Sequence, residues 1–142
     1  MAREPEVPVD VQVLWILAIK TLYARLFTRV CSPHLSHLDE TGCAPVNSAV
    51  YMLWDMNQLE GAAMFPEHNS GALVEPVFDV LKYALSLDHP ACQESALHGL
   101  SHLHWVHAER VERIVGEYLQ QGRARRPELI DYAKAARTGG VM

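Results

Sequence analysis

Between Leu73 and Gln121 apolar residues recur at intervals of three and four. Val77, Val80, Leu81, Ala84 and Leu85 make one such face, and the spacing predicts a helix from about Leu73 to Leu87 with one side buried. Pro76 falls in its first turn, where a missing N–H costs little. Asp88-His89-Pro90 reads as a tight corner. Beyond it the pattern predicts helices from Ala91 to about Val106, from Ala108 to Gln121 and from Pro127 to Arg137. Gly122 and Gly139 stand where C-terminal caps favour a left-handed residue, and Pro127 where a first helical residue can be proline.

The N-terminal half is less regular. Residues 1–8 read as a flexible tail, and Asp10 as the N-cap of a helix running to about Val30, closed by Ser32-Pro33. Its second half carries a polar stripe, Thr21, Arg25 and Thr28, opposite Leu22, Tyr23, Leu26, Phe27 and Val30. Its first half has no such stripe. Val13 to Ile19 are apolar on every side and need cover, from the rest of the domain or from a second copy of the chain. Val13, Leu14, Trp15, Ile16 and Leu17 are therefore the expected surface for self-association. Residues from Cys31 to Ala44 read as a loop, Pro45 opens a helix to about Met56, and Asn57 to Gly71 form a second long connection. Met64 and Phe65 suggest that this connection packs down and lids a small-ligand pocket.

Composition narrows the class. A chain of 142 residues with 49% hydrophobic content is sized for a single domain with its own core. With no convincing strand, the expectation is an all-α fold: a bundle or short α-solenoid of five to six helices. The net charge of −5 and scattered basic residues lack the footprint of nucleic-acid binding. Three cysteines at wide spacing form neither a C-x-x-C pair nor an even framework, which suggests reduced thiols and a cytoplasmic protein. The run Val13 to Ile19, interrupted by Lys20, reads as too short to span a bilayer.

Two segments repeat. Val77-x-x-Val80-Leu81-x-x-Ala84-Leu85 overlays Val111-x-x-Ile114-Val115-x-x-Tyr118-Leu119, and Pro90-x-x-x-Glu94-x-Ala96 overlays Pro127-x-x-x-Asp131-x-Ala133. A helix–turn–helix unit recurring at a period in the thirties resembles the HEAT-like and armadillo-like helical repeat families. The resemblance covers residues 73–139 as two stacked hairpins and implies a concave face of inner helices that holds a protein partner. It implies no catalytic residues.

The candidate chemistry lies on one predicted helix. Glu94, His98 and His102 are spaced four and four, so they stack on one side and could offer a carboxylate and two imidazoles to a divalent metal such as zinc, with Cys92 or His89 as a fourth donor. Gly99 follows His98, so the general base of an H-E-x-x-H metalloprotease is missing. The plainer expectation is an ordinary i,i+4 pair between Glu94 and His98. His104 and His107, near the end of the same helix, add a pH-responsive surface. In the first loop His34, His37, Asp39 and Cys43 are competent ligands without a family spacing. Ser95 and Ser101 lie near histidines but in no G-x-S-x-G turn. Trp15, Trp54 and Trp105 read as core or interface anchors, and Arg123, Arg125 and Arg126 as a charged turn able to meet an anion. These features favour a non-enzymatic binding or assembly module, without cofactor, that recognises a partner through Glu94, His98, His102 and Trp105 or pairs with itself through the first helix. The alternatives are a metal-binding protein or metal-dependent hydrolase built on Glu94, His98 and His102, and a small-ligand-binding helical protein.

Overall fold

The computed structural model describes residues 7–55, 59, 61–65 and 71–141, and every regular element among them is helical. Helix α1 (Val9–Leu22) continues through a π turn (Tyr23–Phe27) into a last turn (Thr28–Val30). A 3-10 turn (Ser36–Leu38) follows, then α2 (Pro45–Tyr51), the short α3 (Gly61–Met64), α4 (Val74–Ser86), α5 (Pro90–Gln120) and α6 (Pro127–Arg137). These six helices pack around one core, as expected of an all-α bundle. The tail expected over residues 1–8 lies outside the described residues except for Val7 and Pro8.

Asp10 does not cap α1. Pro8 takes the cap position with extended backbone (φ −55, ψ 143) and its carbonyl accepts from the N–H groups of Val11 and Gln12 at 3.1 Å each. Proline fixes φ near the value an entry residue needs, so the helix starts two residues early and Asp10 faces the positive end of the dipole from the first turn.

Helix α5 is two helical arms joined by a bend at which the chain reverses direction. His107 alone leaves helical geometry (φ −123, ψ 46). The Tyr118 hydroxyl donates to Gln93 Oε1 at 2.7 Å, although in a straight helix residues 25 apart would be about 37 Å from one another. His104 Nε2 and Glu112 Oε1, 3.1 Å apart, close the hairpin near its bend. The two arms, 90–106 and 108–120, therefore match the two helices that the apolar pattern predicts. No proline or glycine marks the bend. His107 is held there by its Nε2 against the Ala63 carbonyl at 2.7 Å and by an edge-on contact with Phe78.

The arms then stack on their neighbours. Glu75 of α4 receives a two-pronged bond from Arg110 (2.6 and 2.7 Å), and the carbonyl of Ser86 accepts from Arg123 at 3.2 Å. Hence α4 and the second arm run side by side in the same direction. On the other layer His98 meets Tyr132 and His104 packs against Gly139, so the first arm and α6 are likewise aligned. Gly122 and Gly139 adopt φ of 66° and 72°, the left-handed caps that their positions require.

Candidate functional site

The first arm of α5 is buried on nearly all sides: Ala91 through Ser101 are inside the protein. Ala96, Leu97, Leu100 and Leu103 fill the core. Its polar residues cannot be left bare at such depth, because an unpaired buried polar group costs on the order of 1–3 kcal/mol. Each holds a different segment. Gln93 donates to the Leu87 carbonyl at 2.7 Å. Ser95 donates to the Val50 carbonyl at 2.6 Å and bonds the Tyr23 hydroxyl at 2.7 Å, which in turn accepts from Trp54 Nε1 at 2.9 Å. Ser101 bonds both backbone groups of Val141. His89, at the N-cap, accepts from the Ala91 N–H through Nδ1 and places Nε2 3.1 Å from the Cys31 carbonyl.

Glu94 belongs to this structural set. Its carboxylate accepts from the backbone N–H groups of Ser36 (2.8 Å) and His37 (3.1 Å), and the His37 ring closes on the same group through Nδ1. A carboxylate at the start of the 3-10 turn satisfies amides that the turn leaves free, as helix caps do. The i,i+4 pair expected between Glu94 and His98 gives way to this long-range clamp.

His98 and His102 turn elsewhere. His98 Nε2 lies 2.8 Å from Asp55 Oδ2, and His102 Nδ1 lies 3.0 Å from Asp55 Oδ1. The second contact is not aligned as a hydrogen bond, since Asp55 Oδ1 is buried without one. The other nitrogen of His98 sits 3.2 Å from the Tyr132 hydroxyl, itself 2.9 Å from that of Tyr51. Burial, with the Tyr51 hydroxyl beside it, raises Tyr132 far above the ordinary phenol range, and burial likewise raises Tyr51. Both hydroxyls therefore keep their protons at neutral pH. The cluster that the structure assembles is Asp55, His98 and His102, with donor atoms within 4.8 Å of one another. Asp55 thus occupies the place that the sequence pattern gives to Glu94.

The remaining candidates disperse. His37 is committed to Glu94, Asp39 sits exposed in a left-handed turn (φ 50), and the Cys43 thiol points at the Ala44 carbonyl, so the first loop gathers no ligand set among the described residues. That loop is also less free than its composition suggests: Leu35 is fully buried, and Asn47 bonds the backbone of Ser32 in both directions. Arg126 binds Glu40 through two bonds of 2.6 and 2.7 Å, Arg125 meets Asp88 at 3.0 Å, and Arg123 reaches Ser86, so the arginines separate instead of forming one anion site. Of the inner face Glu94, His98, His102 and Trp105, the first two are 1% exposed and His102 is half-buried, while Trp105 is 87% exposed. Most of the expected 57–71 lid lies outside the described residues.

The second feature is α1. Ile16, Ile19 and Tyr23 bury against the domain, but Leu14 (65%), Trp15 (60%), Leu22, Leu26 and Val30 remain exposed. Leu14, Ala18, Leu22, Leu26 and Val30 follow one another at intervals of four. In a plain α-helix such a row drifts steadily around the axis, whereas the wider π turn at Tyr23–Phe27 rotates it back. The stripe is therefore continuous over the whole element. Val9–Val30, a 22-residue element containing an 18-residue window of mean hydropathy 1.3, is also long and apolar enough to cross a bilayer by length and composition, which the short run Val13 to Ile19 alone is not.

No family model, curated protein or solved structure matches this chain.

Proposed function

We propose that this chain is a non-enzymatic helical assembly module that pairs with a second copy of itself through α1. The observation that carries the reading is the uncovered stripe of Leu14, Trp15, Leu22, Leu26 and Val30. Such a stripe presents on the order of 500 Å² of apolar surface, at the upper end of what monomers leave exposed, and two copies face to face approach the roughly 1,200 Å² of a small stable interface. Because α1 is anchored to the domain by Ile16, Ile19 and Tyr23, the stripe is a fixed surface of the folded unit and suits docking better than insertion. Gln93, Glu94, Ser95 and Ser101 of the α5 first arm are occupied in holding the protein together, which leaves little for catalysis.

The side-by-side stacking of α4 with the second arm of α5, and of the first arm with α6, supports the HEAT-like reading of residues 73–139 as two stacked units. Contacts between them join residues 34, 35 and 37 apart. In that reading the hairpins form a scaffold and α1 the contact element. The three free thiols support a cytoplasmic setting.

Replacing both Leu14 and Leu22 by Glu tests the interface. Both side chains are exposed, so helical content should stay unchanged while gel filtration moves from the dimer to the monomer position. A wild-type chain that elutes as monomer and instead sediments with lipid vesicles would point to a membrane as the cover.

A further inference from the structure

We infer that Asp55, His98 and His102 form a binding site for one divalent transition-metal cation, with zinc the best-suited class. Three donors of the right kind converge: two imidazole nitrogens, His98 Nε2 and His102 Nδ1, and a carboxylate, all within 4.8 Å. Two histidines four apart on one arm and a carboxylate from the segment after α2 make a facial set that N/O-binding metals accept, with solvent completing the coordination.

The surroundings fit a ligand set better than a simple ion pair. Asp55 Oδ1 is buried and has no aligned hydrogen bond, although His102 Nδ1 lies only 3.0 Å away. A carboxylate oxygen is a costly group to leave so, and a cation between the three donors would satisfy it. His98 is almost fully buried and its position is fixed from both sides, by Asp55 at Nε2 and by the Tyr132 hydroxyl at Nδ1. Metal-bound histidines hold their second nitrogen in this way, and the outer partner sets the ring orientation. A hydroxyl both donates and accepts, so the Tyr132 oxygen can accept a hydrogen bond from Nδ1–H when Nε2 turns its lone pair to a metal, and its O–H can donate to Nδ1 when Nε2–H donates to Asp55. The Tyr51 hydroxyl, 2.9 Å beyond, serves as the next partner in either arrangement. His98 and His102 also lie ring against ring, with centroids 4.4 Å apart, so that both edges face Asp55.

The site is independent of the α1 interface and needs neither a hydrolytic base nor Glu94. Its test is calorimetric titration of Zn²⁺ into tag-free, chelator-treated full-length protein at pH 7.5, repeated with Co²⁺ while recording visible absorption. One equivalent of Zn²⁺ per chain is expected, and Co²⁺ should develop ligand-field bands. His102→Ala, at a half-buried position, should weaken Zn²⁺ binding at least 10-fold with helical circular dichroism unchanged, as should Asp55→Asn. His104→Ala, which removes a histidine paired with Glu112, should bind as wild type does. Absence of stoichiometric binding by the wild type, or undiminished binding by folded His102→Ala, would overturn the inference.

Discussion

Glu94 grips the backbone of a loop 57 residues away, accepting the N–H groups of Ser36 and His37 with one buried carboxylate. The loop returns the contact through the His37 ring, which also lies against Tyr132 with centroids 4.2 Å apart. A residue that looks like a metal ligand in sequence is thus the peg on which the 31–44 segment hangs. Glu94→Gln keeps the shape but places an N–H₂ among donors. We expect a loss of about 2 kcal/mol in urea unfolding, since two buried amides lose part of their acceptor. A change within about 0.5 kcal/mol would mean that the clamp contributes little.

Gly99 faces Trp54. A Cβ at this position would lie 2.8 Å from Trp54 Cγ and 3.1 Å from Leu81 Cδ2, both fully buried. Alanine in mid-helix ordinarily gains about 1 kcal/mol over glycine. Here overpacking should outweigh that gain and destabilise Gly99→Ala by about 1–3 kcal/mol. A higher melting temperature for Gly99→Ala than for wild type would refute the packing argument.

Acid should loosen the tie between the first loop and α6. The Arg126 guanidinium, with the Leu35 N–H, holds the Glu40 carboxyl down at about 2 from its ordinary 4.5. A carboxyl depressed in the folded state stabilises fully above the unfolded value and loses that contribution as pH falls from about 4.5 towards 2. The stability difference between wild type and Arg126→Ala should therefore be constant from pH 7 to 5 and shrink below it. A difference that does not change down to pH 2.5 would contradict the assignment.

The thiols should differ in reactivity. Burial pushes Cys31 up to about 11 and Cys92 up to about 12, so neither carries appreciable thiolate at pH 8, whereas Cys43 is partly exposed. In native protein a thiol reagent should modify one cysteine quickly and the other two only on unfolding. Fast modification of all three would show that the core around Cys31 and Cys92 opens readily.

The helices from Leu73 onward were legible because apolar spacing, Pro76, Pro90 and Pro127, and the left-handed positions Gly122 and Gly139 all point the same way. A boundary near His107 was legible only through the repeat, by laying the Val77–Leu85 face over Val111–Leu119, because the apolar spacing itself runs on across the bend. Asp55 was not: it follows Trp54 in the turn after a short helix, 43 residues from His98, and nothing local announces that it meets the two histidines. Glu94 misleads for the same reason, since helical spacing gives the side on which a residue lies but not the loop that packs there. The exposure of Leu22, Leu26 and Val30 depends on the π turn, which no residue pattern marks.

Self-association through α1 is tested most directly by sedimentation equilibrium of the unmodified chain, in detergent-free buffer, over about a thousand-fold range of concentration. The account predicts a reversible rise from the 15.9 kDa of one chain to twice that mass. A single-chain mass at every concentration would contradict it.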